Sequence, residues 1–242
     1  MKKITGIIAT FAFIVMVGLT FTGCGSIKPL WSADFTQGNN DVFGLYGSVE
    51  ENDDYITLKR ASGQNYAGST YFGQSSRNYE WVDGGMSVNL KLDIDTTDFA
   101  DGDYSVWSLA LNETDGTYIT ENAVFLIGTD NDVKFIYKAV GVDTDYDALA
   151  NDQSAVSLAS GVYTVRFDYN VNSDDEITLT IVVLNNAGTQ VYKSADNAVV
   201  AIDHADHVAG TQLTQDDVAG LRYLWLARTT VDANVVSLNI TK

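Results

Sequence analysis

Paired carboxylates are the first chemistry to look for, because cleaving a glycosidic bond takes two of them about 5–9 Å apart. Side chains two apart on a strand share a face, and Asp93-Ile94-Asp95 has that spacing. It contains no Glu, and Glu50, Glu51, Glu80, Glu113, Glu121 and Glu176 stand mostly near turns. Both histidines fall in Asp203-His204-Ala205-Asp206-His207. A lyase base or a metal would draw on them, but one short loop rarely supplies and orients a full ligand set, and a polar loop accounts for the segment equally. No nucleophile elbow for Ser/His/Asp chemistry occurs. The residues carry no catalytic signature.

Binding chemistry is better supplied. Asp93, Asp95, Asp98, Asp101 and Asp103 crowd one stretch, and Asp143-Thr144-Asp145-Tyr146-Asp147 forms a second. Carboxylates so spaced can converge on Ca²⁺, although neither stretch has the sixth-position Gly and terminal Glu of an EF-hand. The alternative is a solvated acidic surface. A sugar needs flat apolar rings for its faces and polar groups for its hydroxyls. Trp81, Tyr104, Trp107, Tyr118, Tyr223 and Trp225 are the candidate rings, with Arg166 and Asp168 as hydrogen-bonding partners. Trp107, Leu109 and Leu111 also read as one core face, so core packing competes for Trp107 and for Trp225. Trp81, between Glu80 and Asp83, is the ring expected to be exposed.

The elements that must position these groups are strands. Period-two alternation broken by turn residues runs nearly to the end of the chain. It predicts strands over 31–35, 45–50, 55–59, 68–72, 85–93, 104–112, 123–128, 133–138, 162–170, 177–185, 190–193, 221–227 and 235–241. Tyr163, Val165, Phe167, Tyr169 and Val171 alternate with Thr164, Arg166, Asp168 and Asn170, which places Arg166 and Asp168 on the non-core face. Asp130-Asn131-Asp132, Ser173-Asp174-Asp175 and Asn185-Asn186-Ala187-Gly188 separate neighbours as hairpin turns do. Two stretches invite a helical turn, 144–151 and 213–219, the second capped by Thr214 with Asp217 three residues on. The expected fold is all-β: a two-sheet antiparallel β-sandwich or jelly roll over residues 31–242.

The first thirty residues read differently. Met1-Lys2-Lys3 precedes an apolar run from Ile4 to Phe21, then Thr22-Gly23-Cys24-Gly25. A positive start, an apolar stretch and small residues before a cleavage point are the parts of an export signal. Leu19-Thr20-Phe21-Thr22-Gly23-Cys24 resembles the lipobox of bacterial lipoproteins, with Phe21 where that family usually has Leu. The resemblance implies that residues 1–23 are a signal peptide, carried by an N-terminal signal helix, and that Cys24 is lipidated. Residues 24–30 are then a tether reaching about 20 Å when extended. Two or three acyl chains would make the anchor effectively permanent. Gly25, rather than Asp, after Cys24 implies outer-membrane or cell-surface sorting by the same resemblance. The alternative is an uncleaved transmembrane helix. Cys24 is the chain's one cysteine, so the domain beyond it folds without a disulfide.

Charge narrows the partners. The formal net charge is −18 and becomes −20 without Lys2 and Lys3. Nucleic-acid phosphates and anionic headgroups repel such a domain, which excludes a nucleic-acid role. With 45% hydrophobic residues it is no disordered acidic tail.

Trp31-Ser32-Ala33-Asp34-Phe35 followed by Tyr55-Ile56-Thr57-Leu58 resembles the opening of a concanavalin A-like lectin/glucanase domain. Gly84 to Val88, Trp107 to Asn112, Leu221 to Trp225 and the closing Val235 to Ile240 are similar to a pattern in bacterial surface domains of that type. Glucanases of this superfamily set their carboxylates in a Glu-x-Asp-x-x-Glu pattern, which is missing from this chain. The resemblance therefore implies a non-catalytic glycan- or ligand-binding sandwich. The alternatives are an envelope lipoprotein that docks a protein partner, and a glycoside hydrolase or polysaccharide lyase.

Overall fold

Sixteen strands, in two antiparallel sheets, account for most of the described chain. The computed structural model describes residues 31–38, 48–59, 67–71, 79–112, 118–130, 132–139, 149–200 and 212–242.

The first sheet has nine strands. Its path runs β13 (Gln190–Lys193), β12 (Ile177–Asn185), β11 (Gly161–Val171), β6 (Gly85–Ile94), β16 (Ala233–Thr241), β3 (Ile56–Lys59) and β2 (Ser48–Glu51). β1 (Trp31–Asp34) adds to β16, and β14 (Ala198–Val199) adds to β12. The second sheet has seven: β10 (Val156–Leu158), β9 (Asp132–Ala139), β8 (Tyr118–Thr129), β7 (Tyr104–Asn112), β15 (Gly220–Thr229) and β4 (Ala67–Tyr71), with β5 (Tyr79–Glu80) on β15.

Alternation explains the first sheet. On β6, Met86, Val88, Leu90, Leu92 and Ile94 are buried and Ser87, Asn89, Lys91 and Asp93 are half-buried. On β11, Tyr163, Val165, Phe167 and Tyr169 enter the same core. Each large apolar side chain so enclosed contributes about 1.5–3 kcal/mol. One face of these strands is therefore held inward, and a one-residue slip would reverse it.

β8 does not alternate. Ala123, Val124, Phe125, Leu126 and Ile127 are all buried, because both faces of the second sheet are covered. Val124 and Leu126 join the main core. Ala123, Phe125 and Ile127 join Val106 and Ile136 in a second cluster, closed by Leu149 and Ala150.

The turns follow their residues. The Asn172 side-chain oxygen accepts from the amides of Asp174 and Glu176, and the Asn185 side chain does the same for Ala187 and Thr189. Gly85 is required as glycine: its φ is +112°, and a Cβ there would overlap the Tyr169 carbonyl oxygen and lie 2.9 Å from the Asn170 Cα.

Expectation and structure differ in detail. β8 begins five residues before the predicted strand and β15 runs two residues past its predicted end. β5, β10 and β14 have two or three residues each, too short to carry a period. The turn at 213–219 is a 3-10 helix, Gln215–Asp217. The Asp217 carboxylate accepts from both the amide and the hydroxyl of Thr214. Of 144–151, all but the last residues lie outside the described residues.

Candidate ligand-binding face

The outer face of the nine-stranded sheet is polar across several strands. Strand register sets its residues in rows. Asp168 of β11 lies opposite Thr180 of β12 and Ser87 of β6, and Ser87 lies opposite Thr241 of β16. In the next row Arg166 pairs with Asn89, and Asn89 with Asn239. In the third, Lys91 stands between Thr164 and Ser237.

The central rows are hydrogen-bonded together. Arg166 Nε donates to Asp168 Oδ2 at 2.8 Å, and Ser87 Oγ donates to Asp168 Oδ1 at 2.6 Å. Asn89 Nδ2 donates to Asn239 Oδ1 at 2.8 Å. The Arg166 side chain is 37% exposed and that of Asp168 20%. Side chains held by neighbours lose little further entropy when a ligand arrives.

The expected rings are not on this face. Trp107 is 0% exposed, within the main core, and its Nε1 donates to Ser105 Oγ at 2.7 Å. It cannot stack on a sugar; it faces inward with Leu109 and Leu111 between the sheets. Trp81 is not the exposed ring expected. It is half-buried against the core, edge-on to Tyr169 at 6.1 Å between ring centres. Tyr104 is half-buried beside the second cluster. Tyr118, Tyr223 and Trp225 lie on β8 and β15, and their side chains are outside what is described. Sequence reading thus placed Arg166 and Asp168 on the non-core side of their strand, where the structure has them, but did not single out their neighbours Ser87, Asn89, Lys91, Ser237 and Asn239. The period of β6 was a usable signal for the first three. Pairing with β16, about 150 residues away in sequence, was not readable.

The five aspartates, for which a cation loop stood against a solvated acidic surface, are spread over the end of β6 and the turns that follow it. No group of three His, Cys, Asp or Glu residues placed to hold a metal occurs among the described residues. Asp93 belongs to β6, opposite Val162 and Asn234. Asp95 caps the turn at Thr96–Asp98, accepting from the Thr97 amide and hydroxyl, which lower its pKa. Asp103 accepts from the Ala100 amide and the Thr230 hydroxyl. Asp101 is exposed. Burial raises the pKa of Asp98; Asp95 and Asp232 add repulsion, and Lys59 offsets it. The carboxylates of Asp95 and Asp103 are thus engaged in holding turns. A cavity of about 20 Å³ lies beside Asp98, Asp232 and the Trp107 ring, room for about one water.

Cys24, the second acidic stretch at 143–147, and His204 and His207 lie outside the described residues. No helix among the described residues is long and apolar enough to cross a membrane.

No protein-family model matches the chain, and no curated protein does. Solved structures do. An alginate lyase of family PL-14 from the marine Aplysia kurodai aligns over 89% of this chain and 100% of its own, at 9% identity and a TM-score of 0.51. The carbohydrate recognition domain of Emp46p aligns over 86% and 91%, at 10% identity and 0.49. A lectin from Bauhinia forficata in complex with GalNAc aligns over 87% and 97%, at 10% identity and 0.47. At such identities the likeness is one of fold. The chain is an all-β, two-sheet antiparallel sandwich of the jelly-roll, concanavalin A-like type.

Proposed function

We propose that this chain is an extracytoplasmic lipoprotein, anchored through lipid on Cys24 at the outer membrane or cell surface, whose sandwich binds glycan on the outer face of the nine-stranded sheet. The carrying observation is the hydrogen-bonded set of Ser87, Asp168 and Arg166, with Asn89 and Asn239 alongside, on a half-buried polar surface. Amide, hydroxyl and guanidinium groups in fixed positions match the donors and acceptors of sugar hydroxyls. The reading is of binding rather than turnover. Both oxygens of the Asp168 carboxylate are engaged, by Arg166 and by Ser87, so it is no free base. The short tether keeps the face near the membrane, which suits a ligand at the same surface.

The test is retention of the full-length chain, in neutral-detergent micelles, on a panel of immobilised polysaccharides. Retention by at least one polysaccharide, reduced by Asn89→Ala or Arg166→Ala, supports the reading. No retention on any of them overturns it, and release of shortened products would replace binding with catalysis.

A further inference from the structure

We infer that this face reads a single carboxylate on an otherwise neutral glycan, held between Arg166 and Lys91. The inference rests on the proposed glycan-binding reading and narrows its ligand class.

Register makes the two cations diagonal neighbours. Arg166 lies opposite Asn89, and Lys91, two residues further along β6, lies opposite Thr164. Diagonal positions of an antiparallel pair are about 7–8 Å apart, a gap that two long side chains close around one carboxylate. Lys59, Lys134, Lys138 and Lys193 are each ion-paired with a carboxylate. Lys91 makes no ion pair among the described residues, although Asp93 is two residues along the same strand. Of the Arg166 guanidinium, Nε donates to Asp168, and its terminal nitrogens make no hydrogen bond among the described residues. Asp168 therefore orients the guanidinium while leaving its outer edge for a bidentate contact.

The rest of the chain limits the ligand from the other side. A formal charge of −18, or −20 without the signal, repels a densely charged polyanion. With Asp168 already paired to Arg166, the one charge left over, that of Lys91, matches one carboxylate, and Asn89, Asn239, Ser237 and Thr164 nearby suit neutral hydroxyls. The ligand class is thus a sugar chain with isolated uronic-acid or similar acidic units.

The test is ligand-observed saturation-transfer NMR on the full-length chain in neutral-detergent micelles. The probes are xylohexaose, xylohexaose carrying one glucuronate branch, and polygalacturonate. The branched probe is expected to bind about fivefold more tightly than the neutral one, the upper end for an exposed ion pair, with the preference lost in high salt. Lys91→Gln should abolish the preference for the branched probe, and Lys91→Arg should restore it. Binding of the neutral probe with no preference for the branched one overturns this inference and leaves glycan binding standing. Polygalacturonate binding more tightly per uronate than the branched probe overturns the restriction to isolated carboxylates. Binding of none of the three, together with no retention on the polysaccharide panel, overturns both readings.

Discussion

Arg166 and Asp168 are two residues apart on one strand, and their side chains meet at 2.8 Å on its outer face. The same carboxylate takes the Ser87 hydroxyl from the next strand. Asp168 thus ties two strands and fixes a guanidinium. Asp168→Ala should cost about 1 kcal/mol of stability, small because the pair is partly solvated, yet should abolish glycan retention. Urea denaturation and polysaccharide retention, measured on the same sample, separate the two effects. Retention equal to that of the parent chain would remove Asp168 from the site.

Trp107 should act through the core alone. Trp107→Ala should destabilise by about 3–5 kcal/mol, the usual cost of deleting a buried ring. Trp107→Phe keeps most of the volume but strands the Ser105 hydroxyl, and should cost about 1 kcal/mol with glycan retention unchanged. Denaturant melts check the stabilities. Loss of retention in a folded Trp107→Phe protein would contradict the placement of this ring.

Gly85 is set against the backbone of β11. Gly85→Ala forces both a left-handed backbone and an overlap with Tyr169. It should cost about 2–4 kcal/mol, lowering the melting temperature by several degrees. Gly84, also at positive φ but with open space around it, should tolerate Ala at about 1 kcal/mol. Equal costs for the two variants would dismiss the close approach.

Three tyrosines make the fold sensitive to alkali. Burial pushes the Tyr137 hydroxyl up to about 12 and raises Tyr169 and Tyr192 as well. The folded state thus holds these protons more tightly than the unfolded chain, whose tyrosines titrate near 10. The stabilisation is complete below about pH 10 and is lost as pH rises through about 12. Ultraviolet titration should show a late-ionising set of tyrosines whose ionisation coincides with loss of circular dichroism. Ionisation of every tyrosine near pH 10 in a folded protein would refute their burial.

Cys24→Ser removes the only thiol. Under the proposed lipoprotein reading, the variant is expected to leave the membrane fraction for the soluble extracytoplasmic fraction, because lipid on Cys24 would be its anchor. Cell fractionation reads this directly. Full membrane retention would return the first thirty residues to a transmembrane helix.

Much of the fold was legible because it is local. Strand alternation on 86–94 and 163–171 names the inner residues by period alone, and Thr214 with Asp217 announces its turn by spacing. The continuous apolar run of β8 was legible as a strand, but its reason was not. It is buried on both faces because Leu149 and Ala150 cover the outer side. No local pattern reports a cover supplied by another segment.

The site divides in the same way. By itself the sequence determined the acidic charge, the lone cysteine behind an apolar run, the all-β class and the outward face of Arg166 and Asp168. Each of these follows from composition or from the two-residue period of a strand. Only the tertiary structure decided that Asn89 meets Asn239, that Lys91 lies diagonal to Arg166, and that Trp107 and Trp81 turn to the core. Those relations depend on which strands are neighbours and in what register. Strand pairing joins residues far apart in the chain, and the apolar demand of the space between the sheets decides which rings are drawn inside.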